Sequence, residues 1–439
     1  MVPTSLGWAQ TVPGHWKVVP LNFVATMGTG HTPDRGKKEY WENCAIPWVT
    51  TPDVTRRGDV LTPLMETEQK ISELGMANSA AVLHPTDTVM LSRTASIGYS
   101  VRIGRPMATT QAFVTWHAGP ELDPRYLLLV LRAMKQEWRK LAYGSTHLTI
   151  YMPDLESIRI PLPPLEEQRR IADFLEAETA RIDRLQRLRA RHRALLVERT
   201  RRYIEGLAIG RGLPSSPSGN QWIREIPDGW SILPLKRRWC VVDCKHRTPK
   251  YVDDGYPVVS PGDVTPGRLD LSAAHRFVAE ADFFDLADDL RRPRRGDIIY
   301  SRNATVGIAA YVDTDAPFTM GQDVCRITSP DQDQLFLTHV LNTVSLAELQ
   351  SLQVGSTFAR VNIGTLLQLS IPCPPPREQA AIARQMDEAT RAGAAIDRQI
   401  ERQLTVLAER RQALITAAVT GQFDVSTASG RNVTEGITA

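Results

Sequence analysis

The chain has 439 residues, 42% of them hydrophobic and 23% charged, with a formal net charge of +3. That length allows several domains with ordinary cores, and no apolar run approaches the roughly 18 residues of a membrane span. So mild a positive charge excludes histone-like bulk neutralisation of nucleic acid, and any affinity for phosphate must come from local patches or added partners. Five scattered cysteines (Cys44, Cys240, Cys244, Cys325, Cys373) predict reduced thiols in a cytoplasmic protein rather than a disulfide framework. The chain does not open on the basic segment and apolar core of a signal peptide.

In chain order, residues 1–155 mix short β-rich runs (Ile46 to Thr50, Thr88 to Leu91, Phe113 to Trp116) with Gly, Pro and Asp turns. Helical spacing of Tyr126, Leu127, Val130, Leu131, Met134, Trp138 and Leu141 predicts one helix from about Pro124 to Tyr143. Residues 156–209 carry the first of two long helices, which opens on Pro163-Pro164 and on Glu166-Glu167 in its first turn. Apolar positions such as Ile171, Leu185, Phe174, Leu188, Leu195, Leu175, Ile182, Leu196 and Tyr203 then recur in sevens. Residues 210–220 read as a linker, and 221–367 as a second β-rich domain. Residues 368–424 hold the second long helix, with Ile382, Met386, Ile396, Ile400, Leu404, Leu407 and Leu414. Gly393 marks either a bend or a close contact in it. The polar stretch 425–439 reads as a disordered tail.

The two halves repeat each other at about 211 residues. Gly144-Ser145-Thr146 recurs as Gly355-Ser356-Thr357, and Glu167-Gln168 after a Pro-rich run recurs as Glu378-Gln379. Pro13-Gly14-His15-Trp16 pairs with Pro227-Asp228-Gly229-Trp230. Ser92-Arg93-Thr94-Ala95-Ser96-Ile97-Gly98 pairs with Ser301-Arg302-Asn303-Ala304-Thr305-Val306-Gly307. Each stripe is too narrow for a buried helix and too long for a free one, so the helices are expected to pair with each other, the domains at opposite ends. The expected fold is α+β: two β-rich domains joined by two long α-helices in an antiparallel coiled coil, with a pseudo-twofold internal repeat. Two similar units suit a two-sided partner such as duplex DNA.

Catalytic signatures are missing. There is no phosphate-binding loop of the Gly-x-x-x-x-Gly-Lys-Ser/Thr type, and Gly28-Thr29-Gly30 is too short for a dinucleotide fingerprint. The tetrapeptide of DNA amino-methyltransferases is not found, and the nine histidines show no metal spacing. Pro227-Asp228 with Asp243-Cys244-Lys245 fits a loose nuclease pattern, but Gly14 stands where Asp228 does in the other copy, and a turn-forming role fits Asp228 as well.

The doubled Pro-rich helix openings, the Gly-Ser-Thr upstream of each, the doubled Pro-x-x-Trp and the Ser-Arg-x-Ala-x-Ile/Val-Gly pair resemble the specificity subunit of type I restriction–modification systems, over almost the whole chain. The resemblance implies that residues 1–155 and 221–367 are target recognition domains, each reading half of a split, asymmetric double-stranded DNA site. It implies that the paired helices act as a ruler between the halves and bind two methyltransferase (modification) subunits. S-adenosylmethionine then resides in those partners, with ATP and magnesium in two further restriction subunits, and no cofactor or catalysis in this chain. A nuclease or methyltransferase with an unrecognised centre is the alternative.

Candidate DNA contacts are residue types that reach phosphates or base edges. From the shared turns come Arg93 and Arg302, Gln111 and Gln322, Thr146 and Thr357, though positions common to both readers suit scaffold or phosphate roles as well. From unshared basic clusters come Lys37, Lys38, Arg56, Arg57 and Arg105, with Arg102 beside them, and Lys245, Arg247 and Lys250, with the Arg291 to Arg295 run. Each cluster could equally be a solvated face, as could the Arg-rich surface of the first helix. Trp41 and Trp48 are expected in the core.

Overall fold

The structure is a computed structural model and describes residues 1–144, 148–352 and 360–425. The expected disordered tail lies almost wholly outside them. The fold has two compact units: residues 1–189 with the chain from Arg402 on, and residues 190–401. Both long helices, Leu165–Ala208 and Pro376–Val419, run 44 residues each, or about 66 Å. Each contributes one half to each unit.

In the first unit, a four-stranded sheet has the order Ala25–Thr29, Phe113–Ala118, Val89–Ser92, Ser100–Arg102. In the second, the same four positions are Cys240–Asp243, Val324–Thr328, Ile298–Ser301 and Ala309–Tyr311, with Gly267–Arg268 added at the edge. A parallel pair recurs too: Trp48 faces Ala108 in one unit, and Val258 faces Thr319 in the other. Strands from the start and end of each domain close it, Lys17–Pro20 on Arg159–Leu162 and Ser231–Pro234 on Ser370–Cys373.

The doubled Glu-Gln of the helix openings has a physical reason. Gln168 is fully buried; its Oε1 accepts the Asp123 backbone N–H at 2.8 Å, and its Nε2 donates to the Glu121 and Pro163 carbonyls, both at 2.9 Å. Gln379 does the same, accepting from Asp333 N at 2.9 Å and donating to Gln332 Oε1 and the Pro374 carbonyl, both at 2.8 Å. One amide thus ties the first turn of each long helix to the N-cap of the domain's own helix.

The doubled Pro-x-x-Trp is the other half of the joint. It receives the end of a long helix. A Cβ on Gly421, which has φ 65°, would lie 2.4 Å from Pro13 Cγ and 3.1 Å from Trp16 Cη2. One on Gly210, φ 66°, would lie 2.3 Å from Pro227 Cγ and 3.2 Å from Trp230 Cη2. Only glycine supplies both the left-handed backbone and the space. The second helix therefore ends on the first repeat's opening, and the first helix on the second's.

Within each unit the helix halves run antiparallel. Asp183 Oδ1 accepts from Arg411 Nε at 3.1 Å and Phe174 packs edge-on against Phe423 in one. Arg193 forks onto Asp397 at 2.6 and 2.9 Å in the other. Gly393 marks a close contact, its would-be Cβ 3.1 Å from Thr200 Oγ1. Ile171, Leu175, Ile182, Leu414 and Ile415 share one core, and Ile204, Ala383 and Met386 another. The apolar stripe is not buried along its length, however: Leu185, Leu188, Leu195, Tyr203 and Ile396 are exposed.

The helix expected from Pro124 to Tyr143 is two, Pro124–Ala133 and Lys135–Lys140. The buried Trp138 indole donates to the Leu131 carbonyl at 2.7 Å, taking the acceptor at the break.

Two outcomes follow. Gln168→Met strands two buried backbone groups, the Asp123 N–H and the Pro163 carbonyl, and should lower unfolding stability by about 2–3 kcal/mol, read as a lower urea midpoint at unchanged slope. His339 is buried with its Nε2 unpartnered, where the first unit has Leu129, and burial pushes its pKa down to about 4 despite Asp387, with Arg268 acting in the same direction as burial. A depressed histidine contributes stability that is intact above pH about 6.5 and declines as pH falls to about 4, by up to roughly 3 kcal/mol. His339→Leu should flatten that part of a stability–pH curve.

Candidate nucleic-acid interface

Each unit presents the same frame at one end of its main sheet. The Ser-Arg turn follows strand Val89–Ser92 or Ile298–Ser301. Its alanines sit in the left-handed region, Ala95 at φ 60° and Ala304 at φ 57°, a conformation unfavourable for a residue with a Cβ. Backbone bonds hold the turn: Gly98 N to Ser92 O at 3.0 Å and Gly307 N to Ser301 O at 3.1 Å. The residues raised out of the strand end, Ala95 and Ala304, are exposed.

Gln111 and Gln322 stand beside these turns, exposed, and each is anchored by a threonine the sequence did not single out. Thr32 Oγ1 donates to Gln111 Oε1 at 2.6 Å, and Gln322 Nε2 donates to Thr248 Oγ1 at 2.7 Å. Both threonines precede a proline, Pro33 and Pro249, a doubled Thr-Pro that was the available signal. Arg35 was also missed; its guanidinium stacks over half-exposed Trp41 at 4.2 Å and buried Trp48 at 5.0 Å.

The shared arginines separate. Arg302 is 3% exposed, and its Nη2 donates to Asp243 Oδ1 at 2.6 Å. Thr29 occupies Asp243's position in the first unit, facing Val114 as Asp243 faces Cys325. Arg93 therefore has no carboxylate partner among the described residues, where its Nη1 reaches the Ile150 carbonyl at 3.4 Å, and it is half-exposed. Arg302 is consequently a core ion pair rather than a surface cation. Asp243, Cys244 and His246 bring three ligand-type atoms within 4.8 Å of one another, but Asp243 already balances Arg302 and takes His246 Nε2 at 3.1 Å.

Most of the basic clusters are committed to nearby acids. Arg56 pairs with Glu68, Arg105 with Glu66, and Arg102 with Asp87. Lys245 meets Asp285 at 2.6 Å, and Arg247 bridges Asp282 and Asp285. Arg291 pairs with Asp288, and Arg295 with Asp313 and Asp315. Arg57 donates to the carbonyl and hydroxyl of Thr62 and to the Pro63 carbonyl. Lys37 bonds the Tyr40 hydroxyl at 3.1 Å, which favours its charged form. Lys37, Lys38 and Lys250 are exposed and have no carboxylate partner among the described residues. Thr146 and Thr357 lie outside the described residues. No described helix is long and apolar enough to cross a membrane.

Residues 13–190 and 243–406 match the family described as the type I restriction modification DNA specificity domain, more than three quarters of the chain. Among curated relatives, the MjaIX specificity subunit of Methanocaldococcus jannaschii is 28% identical over 166 residues, covering 37% of this chain and 38% of that protein. The EcoprrI specificity subunit of Escherichia coli is 27% identical over 169 residues, covering 37% and 40%. The chain thus spans about two fifths of each of those relatives. Among solved structures, one described as bearing on complex assembly and conformational transition of the type I restriction–modification system covers 94% of this chain and 99% of its own, with a TM-score of 0.71 at 18% identity. The HsdS subunit of Thermoanaerobacter tengcongensis covers 94% and 98%, with a TM-score of 0.50 at 18% identity, a likeness of fold. With the repeat, the paired helices and the doubled recognition frame in the same order, the chain belongs to the type I restriction–modification DNA specificity family.

Proposed function

We propose that the chain is the sequence-specificity subunit of a type I restriction–modification complex. Each β-rich unit reads one half of a split double-stranded DNA site, and the paired helices set the unread gap. The helices also carry two methyltransferase (modification) subunits, and two restriction subunits join that core. S-adenosylmethionine then belongs to the modification subunits, and ATP and magnesium to the restriction subunits. This chain contributes recognition and scaffold and no catalytic step.

One observation carries the reading: a single specificity domain is matched twice in one chain, and its two copies hold the same glutamine on the same threonine amid different neighbours. A common frame with different side chains around it suits two different half-sites, hence an asymmetric target. Gln111 and Gln322, each fixed at one end of its amide, keep the other end for a base edge. Of the recognition-domain cations singled out above, Lys37, Lys38, Arg93 and Lys250 have no carboxylate partner among the described residues and are available to phosphates. Exposed Leu185, Leu188, Leu195, Tyr203 and Ile396 offer partner subunits apolar surface on the helices.

The deciding measurement is methylation mapping of DNA from cells that express the chain with its modification subunit. Adenine methylation at one split, asymmetric motif is expected, and exchanging residues 1–155 for those of another member should change one half of it. Absence of methylation from an assembled complex sinks the reading. Methyl transfer or cleavage by the isolated chain would establish the enzyme alternative instead.

The two arginines should part in unfolding and in salt-dependent DNA binding. Arg302→Met leaves Asp243, whose side chain is 29% exposed, without its guanidinium partner and should destabilise the chain by about 1–3 kcal/mol. Arg93→Met should stay within about 1 kcal/mol in unfolding yet lower the slope of log affinity against log salt by about 0.9, one phosphate contact.

A further inference from the structure

Where each domain rests on its pair of helix halves there is a cavity, and the two cavities are built from equivalent positions with opposite chemistry. In the second unit it holds about 350 Å³ and is mostly apolar, with Leu196, Val197, Ile204, Pro266 and Ala394 on its walls beside one cation and one anion, Arg201 and Asp397. In the first unit it holds about 370 Å³, and its walls carry Arg57, Asp59, Asp183, Gln186, Arg187 and Arg411. Counting from the N-caps Asp123 and Asp333, Arg132 stands where the second unit has Asn342. At the helix repeat of 211 residues, Asp183 stands where it has Ala394, and Arg411 where it has Thr200.

The first cavity is short of negative charge. Arg132 and Arg411 are each 5% exposed, and both donate to a single acceptor, the Asp59 carbonyl oxygen. Arg132 adds only the Val60 and Ser100 carbonyls, at 2.9 and 3.1 Å. Arg411 alone meets a carboxylate, Asp183 at 3.1 Å. Arg57 bonds neutral oxygens, and the Nε atoms of Arg57 and Arg132 are buried without partners. Arg187 is exposed at the mouth with no carboxylate partner among the described residues. Three guanidinium groups therefore line the cavity against two aspartates, and a fourth, that of Arg132, shares the Asp59 carbonyl with Arg411. Burial, with Arg411 and Arg57 nearby, pushes the pKa of Arg132 down to about 10. Buried cations short of counter-charge are costly, and planar guanidinium forks match tetrahedral oxyanions.

We propose that this cavity is a binding site for a phosphate-class oxyanion, held by Arg57, Arg187 and Arg411. In the second unit the places of Asp183 and Arg411 are taken by Ala394 and Thr200, and the charges of Arg201 and Asp397 on the cavity wall balance, so no such excess of cations is present there. The oxyanion is either a free phosphate group or a backbone phosphate of duplex DNA.

The test uses the full chain and inorganic phosphate as probe, exchanged for chloride at constant ionic strength. The thermal midpoint should rise saturably, by about 2–3 °C, and this rise should vanish in Arg57→Gln/Arg187→Gln. Arg187 is exposed, whereas Arg57 is half-buried and bonds Thr62 and Pro63, so Arg187→Gln alone is measured beside the double variant and should lose part of the rise; unspecific salting effects act on all three chains equally. Salt-dependent binding of a 40-bp duplex then separates the sources. A slope lower by about 0.9 in the double variant identifies DNA phosphate, and an unchanged slope a free phosphate. Absence of a saturable rise, or one undiminished in the variant, overturns the site. Phosphate titration needs no DNA, so its outcome is independent of the split-site reading.

Discussion

One buried amide per unit fixes how a recognition domain meets the helix that follows it. Gln168 and Gln379 each satisfy the N–H of a helix N-cap residue while holding a carbonyl of the proline run. These groups are buried, so an imperfect fit would leave several main-chain dipoles unpaired at once. The angle of the domain on its helix is thereby set by hydrogen-bond geometry and not by apolar packing, which tolerates sliding. Pro13 with Gly421, and Pro227 with Gly210, close the same joint from the other side by leaving no room for a side chain.

A rigid joint leaves the surface above it free to vary. The same strand order, the same left-handed alanine and the same threonine-held glutamine recur in both units, while the charges around them do not. Arg302 is absorbed into a buried pair with Asp243, whereas Arg93 faces Thr29's position and keeps its charge uncommitted. The seats on the helices diverge similarly, cationic in one unit and apolar in the other. Duplication preserved the scaffold because its bonds are cooperative, and it let neighbouring side chains drift because they are not.

Much of this was legible in the residues. The repeat, the two long helices, the α+β class and the family resemblance all rest on local patterns that need no partner to be read. The glutamine of the helix opening was visible as a repeated letter, but two of its three bonds reach residues about 45 positions upstream. Basic clusters read from sequence overstate the available charge, because Arg56, Arg105, Lys245 and Arg247 are paired with acids 12 to 40 positions away. The helix stripe read as continuous, yet Leu185, Leu188 and Leu195 are exposed. Periodicity says which residues share a face; it does not say what covers that face.

The sequence by itself determined the elements, their duplication and their order, since helix period, proline placement and glycine stops are properties of neighbouring residues. Only the tertiary structure decided which arginine is a surface cation and which a core ion pair, and which of the two equivalent seats carries charge. Those depend on carboxylates brought close by strand pairing, and the energy of a charge is set by what lies within a few ångströms of it in space.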